Sequence, residues 1–426
     1  MRRKNVSTAL TVALAMFVVA VLMTGTHAAA QQEKVLHSFD SGKDGAVPFS
    51  GLVIDATGNF YGTTADGGSN LACSGCGTVF QLSPQIGGGW TEKILFSFSG
   101  NNGKSPFASL ILDASGNLYG TTAIGGNSGK GCGGGYEGQG CGAVFELSPQ
   151  AGGGWTEKVL YSFKDNGTDG YDPMASLILD AAGNLFGTTS SGGANQYYGT
   201  VFELTPSASG AWTETVLRSF TFNGMDGNGP LNPLIFDAAG NLYGTTGFGG
   251  NGGGAVFELT HKAGKIWTEK TLYSFSGGTD GSTPNALIFD ASGNLYGTTY
   301  LGGLYGGGTV FEMKPEAGGR WAVKVLYSFP NPGTDGYKPY GGLALDAGVL
   351  YGTTNLGGAY GYGTAFELKP LTGGGWAYKV LHSFGSGQDG QSPYAGLVVD
   401  AAGNLYGTTA HGGANNVYGT VFEVIP

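Results

Sequence analysis

Apolar residues along this chain come in short runs broken by glycine, and no stretch carries the 3.6-residue spacing of an amphipathic helix. One unit shows the pattern. Residues 106–114 are a short apolar strand, and Ser115-Gly116-Asn117 is a tight turn, because Gly and Asn accept the positive φ of a hairpin. Residues 118–122 and 143–147 give two more strands rich in β-formers. After Gly152-Gly153-Gly154, residues 155–163 give a fourth. Four strands joined by turns predict an antiparallel meander; they are called a, b, c and d below.

The b-strand segment Gly116-Asn117-Leu118-Tyr119-Gly120-Thr121-Thr122 recurs at 58–64, 183–189, 240–246, 293–299 and 403–409. A shortened copy at 349–354 brings the count to seven. A period of roughly 50–60 residues with four strands per unit fits a propeller blade, and is too long for a leucine-rich or β-helical coil. Seven units lie within the usual range of blade numbers. The ends agree: residues 34–39 read as a d strand with no a, b or c before it, and residues 394–426 supply a, b and c with no d after them. The predicted fold is all-β: one seven-bladed β-propeller over 31–426, of four-stranded antiparallel blades, the last closed by the N-terminal strand. Closure would leave no sheet edge to template aggregation.

The units Gly-Asn-Leu-Tyr-Gly-Thr-Thr, Gly-Thr-Val-Phe-Glu-Leu and Trp-Thr-Glu-Lys-Val-Leu-Tyr-Ser-Phe resemble the GloVer (Gloeo/Verruco) tandem repeat of exported bacterial proteins. The resemblance runs over nearly all of residues 31–426. It implies export and repetition, and brings no activity or catalytic residues. Members often carry a C-terminal surface anchor, a segment with no counterpart before Pro426.

Residues 1–30 read as a signal peptide: Arg2, Arg3 and Lys4, an apolar run over 9–23, then Ala28-Ala29-Ala30. Cleavage near Ala30 would give a secreted or periplasmic protein with no membrane span. Without the leader's three basic residues the chain has 17 Lys and Arg against 30 Asp and Glu, a net charge of −13. That balance excludes phosphate-backbone binding, which Lys and Arg drive, so no nucleic-acid partner is expected.

The b-to-c and d-to-a loops should share one face, and the longer, more varied loops place binding there. That face should carry Asp44, Asp169, Asp226, Asp280, Asp335 and Asp389, with Asn102 at the matching place in unit two. Six carboxylates could meet sugar hydroxyls, or each Asp could cap its own turn. Tyr197, Tyr198, Tyr305, Tyr360, Tyr362 and Tyr418, with Tyr136, lie in the b-to-c loops, a composition suited to stacking on sugars or to packing within loops. Asp55, Asp113, Asp180, Asp237, Asp290, Asp346 and Asp400 end the a strands and should bond their own turns. The c-strand Glu residues, such as Glu146, need a partner when half-buried, with the Thr pair of strand b proposed for it. Trp90, Trp155, Trp212, Trp267, Trp321 and Trp376 open the d strands and read as packing. Of the four cysteines, Cys132–Cys141 should staple a long loop and Cys73–Cys76 should close a small ring, as suits an exported chain.

No catalytic elbow, phosphate loop or zinc helix occurs, and the histidines are scattered, with His37 and His382 standing where other units have Tyr or Phe. No catalytic residue, cofactor or metal is assigned. The expected function is a monomeric binding or scaffold module for extracellular glycan or cell-envelope material. An extracellular polysaccharide-degrading enzyme with carboxylates at the channel mouth, or a protein-interaction propeller, are the alternatives.

Overall fold

A computed structural model of the chain describes residues 33–40, 42–70, 75–127, 132, 140–195, 197–221, 226–262, 266–414 and 417–426. The expected signal peptide, Cys73 and Tyr136 lie outside the described residues. The described chain forms seven four-stranded antiparallel sheets, arranged as a β-propeller. Blade two consists of Ile111–Leu112, Leu118–Thr122, Ala143–Pro149 and Trp155–Ser162. Strand a, expected over 106–114, narrows to the two residues Ile111–Leu112. In blade five it is longer, at Ser282–Phe289.

The seventh blade joins the two ends of the chain. Glu33–Ser38 pairs antiparallel with Thr420–Val424, with Val35 opposite Phe422 and Ser38 opposite Thr420. The N-terminal segment is therefore the d strand of the blade whose a, b and c strands come from the C-terminal end.

No blade has a core of its own. Each of seven buried clusters spans two neighbouring blades: Tyr61, Val79 and Phe98 of blade one, for example, meet Leu118, Phe145 and Leu147 of blade two. At the centre of each, the Phe ending one d strand meets the Phe of the next blade's c strand. Phe98–Phe145, Phe163–Phe202 and Phe220–Phe257 stand edge-to-face at 5.0, 5.1 and 5.2 Å between centroids. Such a pair contributes about 0.5–1.5 kcal/mol beyond its buried area. The same Phe explains the Gly of Leu-Tyr-Gly-Thr-Thr: a Cβ on Gly120 would stand 2.6 Å from the Phe145 ring. The six tryptophans pack across the same interfaces, as with Trp155 against Tyr61 at 6.2 Å and Trp321 against Tyr243 at 6.2 Å.

The Asp-Ala-x-Gly-Asn turns form as expected. Asp113 Oδ1 accepts from the amides of Ser115 and Asn117, both at 2.8 Å, and Gly116 takes φ of +85°. The c-strand Glu differs from expectation: in blades two, four, five and seven its partner is the b-strand Tyr and not the Thr pair, whereas Glu203 meets Thr205 and Glu367 meets Lys379. Tyr243 donates to Glu258 at 2.8 Å, Tyr296 to Glu312 at 2.8 Å and Tyr406 to Glu423 at 2.9 Å. In strand register Tyr243 lies directly opposite Glu258, so the two side chains share one sheet face. The Thr hydroxyls are spent elsewhere, as in the 2.8 Å contact between Thr64 and Thr78 and the 2.9 Å bond from Thr63 to the Pro106 carbonyl of the next blade.

Candidate functional site

Every a strand is entered through a proline: Pro48, Pro106, Pro173, Pro230, Pro284, Pro339 and Pro393. The residue before it is left-handed in every blade. Val47, Ser105, Asp172, Thr283, Lys338 and Ser392 have φ between +54° and +63°, and Gly229 has φ of +64°. Only the glycine adopts this conformation without strain; elsewhere it costs of order 1–3 kcal/mol and persists because neighbours over-determine it. The neighbours here are two b-to-c loops. The Val47 amide donates to the Tyr418 carbonyl of the preceding blade, and the Val47 carbonyl accepts from the Ala65 amide of its own. Ser105 is held likewise between Cys76 and Ala123, and Asp172 between Cys141 and Ser190. The Cys132–Cys141 disulfide thus braces a loop that grips the next blade's turn. Cys76 is also disulfide-bonded, and its expected partner Cys73 lies outside the described residues.

These turns hold the residue after each proline at the axis. Phe49, Phe107, Met174, Leu231, Tyr340 and Tyr394 line one cavity of about 320 Å³. Six blades contribute one side chain each, which places the cavity on the central axis at the d-to-a end of the channel. Blade five breaks the ring with Asn285, which is buried and bonds the Pro339 carbonyl at 2.7 Å. The aromatic members touch edge-to-face: Phe107–Phe49 at 5.5 Å, Phe49–Tyr394 at 4.8 Å and Tyr394–Tyr340 at 5.3 Å. Tyr300 extends the chain of rings at 5.6 Å from Tyr340, with the Lys338 ammonium 5.4 Å over its face. Burial, then the neighbouring Tyr300 and Tyr394, raise the Tyr340 hydroxyl above its ordinary pKa, so it stays a neutral hydrogen-bond donor at neutral pH. Sequence reasoning missed the mouth residues. The available signal was the position after the proline, which varies as Phe, Phe, Met, Leu, Asn, Tyr, Tyr beside an unvarying proline.

The aspartate set sits farther out, on the blade seams. Asp169 accepts from the Tyr161 hydroxyl at 2.8 Å and the Lys164 amide at 3.0 Å. Asp280 accepts from Tyr273 at 3.0 Å, Asp335 from Tyr327 at 2.5 Å, and Asp226 pairs with Arg218 at 2.5 Å. Asp389 lies 2.8 Å from His382, and Asp44 lies 3.4 Å from His37. Each carboxylate engages the d strand of its own blade, so the six are not brought together. Where the d-strand residue is Phe96 and has no donor, the loop residue is Asn102, which accepts from the Ser99 amide at 2.9 Å.

The loop tyrosines divide. Tyr197, Tyr305, Tyr360 and Tyr362 are exposed, whereas Tyr198 and Tyr418 pack against the blade clusters. Phe248, Leu301, Leu304 and Val417 are exposed on the same loops. That the b-to-c and d-to-a loops share a face is visible in their pairing: Gly170–Tyr171 forms a ribbon with Ser191–Gly192. A second cavity of about 630 Å³ opens on the opposite face between blades three and four, lined among others by Asp180, Phe186, Glu203, His261 and Trp267.

Among the described residues no helix is long and apolar enough to cross a membrane. No curated protein matches the chain. The extracellular domain described as that of a hybrid two-component system from B. thetaiotaomicron superposes with a TM-score of 0.54 at 12% identity, covering 92% of this chain and 39% of that one. A second structure, of an extracellular domain described as that of a one-component system from the same organism, gives 0.53 at 13% identity, with 92% and 40% covered. The chain therefore spans about two fifths of those chains, and the likeness is one of fold. The Gloeobacter/Verrucomicrobia repeat matches residues 21–136, 132–345 and 317–426, so the chain, read from its strand motifs to its closed ring of blades, belongs to that repeat family.

Proposed function

We propose that this protein is an exported binding module that takes extracellular glycan, a cell-envelope component or a free polysaccharide, at the channel mouth. The observation that carries the reading is the axial cavity walled by Phe49, Phe107, Met174, Leu231, Tyr340 and Tyr394. Aromatic faces present flat apolar area at low entropic cost, and the Tyr hydroxyls add hydrogen bonding, a combination that suits a ring-shaped polyhydroxy ligand. The strained turns support it, because backbone strain held by surrounding structure clusters at ligand sites. Exposed Tyr197, Tyr305, Tyr360 and Tyr362 around the same face would extend contact along a repetitive ligand. Export rests on the leader-like residues 1–30 and on a disulfide, which persists in oxidising compartments.

The test is binding of the purified protein to a panel of bacterial and plant polysaccharides, with the double variant Phe49→Ala/Tyr394→Ala beside it. Binding by the native chain that the double variant loses, while Tyr197→Ala retains most of it, is the expected result. A native chain that binds no polysaccharide, or a double variant that binds as well as native, would sink the reading.

A further inference from the structure

The seam closed by the N-terminal strand holds a cluster that differs in kind from the other blade interfaces. At the interfaces where a d-strand Glu faces an Asp of the preceding blade's loop, two acidic positions meet; between blades one and two the loop residue is Asn102, which donates to Glu157 at 3.5 Å. Between blades three and four, Asp226 and Glu269 share Arg218, whose Nη2 lies 2.5 and 3.4 Å from them. Between blades six and seven, Asp389 and Glu33 meet with His382 in the place of that arginine. His382 Nε2 lies 2.8 Å from Asp389 Oδ2. Glu33 Oε1 is buried without a hydrogen-bond partner. One donor atom each from Glu33, His382 and Asp389 lies within 4.8 Å of the other two.

We infer that Glu33, His382 and Asp389 form a divalent-cation site, of the kind zinc occupies, that clamps the N-terminal strand onto blade six. The donor set is one imidazole nitrogen and two carboxylates, ligands that zinc accepts at about 2.0–2.2 Å. Nε2 and Oδ2 stand 2.8 Å apart as a hydrogen-bonded pair; two ligands on a tetrahedral zinc stand about 3.3 Å apart, so an ion would enter by displacing the shared proton and spreading the pair slightly. A cation there would satisfy the orphaned Glu33 oxygen and neutralise both carboxylates, as Arg218 does at the seam between blades three and four. Three of the other d strands carry Tyr161, Tyr273 or Tyr327 at the His382 position and two carry Phe96 or Arg218, and none of these seams offers the same donor set. His37, Asp44 and Glu92 repeat the residue types at the seam between blades seven and one, with His37 Nε2 and Asp44 Oδ2 3.4 Å apart, but their three donor atoms do not all come within 4.8 Å of one another as those of the first trio do. Glu33 opens the closing strand Glu33–Ser38, so the ion would tie down the end of the strand from which a closed ring would otherwise unzip.

The experiment uses untagged protein, stripped with chelator and titrated with Zn²⁺ alone. Calorimetry and metal analysis should give one equivalent bound, with a rise in Tm that chelator reverses, because a ligand selective for the folded state stabilises it by mass action. His382→Tyr installs the residue that three other blades use here, so it should fold with the native Tm in chelator. It and Glu33→Gln should each weaken Zn²⁺ by more than the about tenfold that even outer-shell changes cause, while His37→Tyr leaves binding intact. The proposal fails if the native protein takes up no stoichiometric Zn²⁺, or if His382→Tyr and Glu33→Gln bind as the native chain does. It fails equally if His37→Tyr, and not His382→Tyr, abolishes the site.

Discussion

The Thr408 hydroxyl donates a 2.6 Å hydrogen bond to the Ser50 carbonyl, a residue 358 positions away in sequence. Five other interfaces make the same bond between consecutive repeats, as from Thr121 to Ala175 at 3.1 Å and from Thr353 to Ala395 at 2.8 Å. The seventh interface is therefore built like the rest, although it joins the two ends of the chain. Phe39, from the N-terminal strand, completes it by standing 5.2 Å from Phe80.

Equal construction predicts equal cost. Phe39 and Phe220 are both fully buried and each meets the next blade's Phe edge-to-face at 5.2 Å. Phe39→Ala and Phe220→Ala should each lower unfolding free energy by about 3–5 kcal/mol, the usual cost of truncating a buried Phe. Denaturant titration checks it. If Phe39→Ala costs less than about a third of Phe220→Ala, the closing strand is a loose appendage and the ring is open in solution. Phe39→Ala should also promote association, since fraying of Glu33–Ser38 uncovers the edge of Thr420–Val424.

Much of this was legible in the chain. The strand-turn-strand signals, the repeat length and the complementary ends sufficed for blade number and closure, because each is a local or counting property. The channel mouth was not legible, since Phe49 and Tyr394 are brought together only by the sevenfold ring, and nothing in one repeat says which side chain meets the axis. The aspartates misdirected for a related reason. Asp169 and Asp389 recur with the repeat, which looks like a ring, yet each is consumed by a partner eight or seven residues earlier in its own blade. The exchange of Tyr161 for His382 was visible in sequence; that a Glu from the next blade completes the group depends on how blades stack.

Blade stacking also fixes a pH response. Asp169 and Glu214 meet across the interface of blades two and three, and burial above all pushes them up to about 6 and about 7, with the Asp169 charge adding to the effect on Glu214. Both values lie above those of the unfolded chain, about 3.9 for Asp and 4.3 for Glu. The folded state thus holds these protons more tightly, so their contribution favours folding at low pH and is lost as pH rises through 6 to 7. Native Tm should fall between pH 5 and pH 8, and Glu214→Gln should fall less steeply over that window. A variant slope as steep as native would show that the pair does not titrate there.

The last expectation concerns the one b strand in which the tyrosine is absent. Blades one, two, four, five and seven carry a Tyr whose hydroxyl reaches the turn Asp, and in all of these but blade one it also reaches the c-strand Glu. Blade three has Phe186 instead, buried, with Glu203 directly opposite it in register. Glu203 is left with Thr205 at 3.5 Å, and Asp180 with its own turn. Phe186→Tyr adds one oxygen at the edge of the groove between blades three and four, where there is room for it. The new hydroxyl should bridge Asp180 and Glu203 as Tyr243 bridges Asp237 and Glu258. A hydrogen bond to a charged group is worth about 1.5–3 kcal/mol at most, and burial of the hydroxyl offsets part of it, so a net gain of about 1 kcal/mol is expected. Tyr243→Phe should lose about the same amount. Chemical denaturation of the two variants decides the matter: a destabilised Phe186→Tyr would mean that blade three has already relaxed around the missing oxygen and holds its carboxylates in a different arrangement from the other blades.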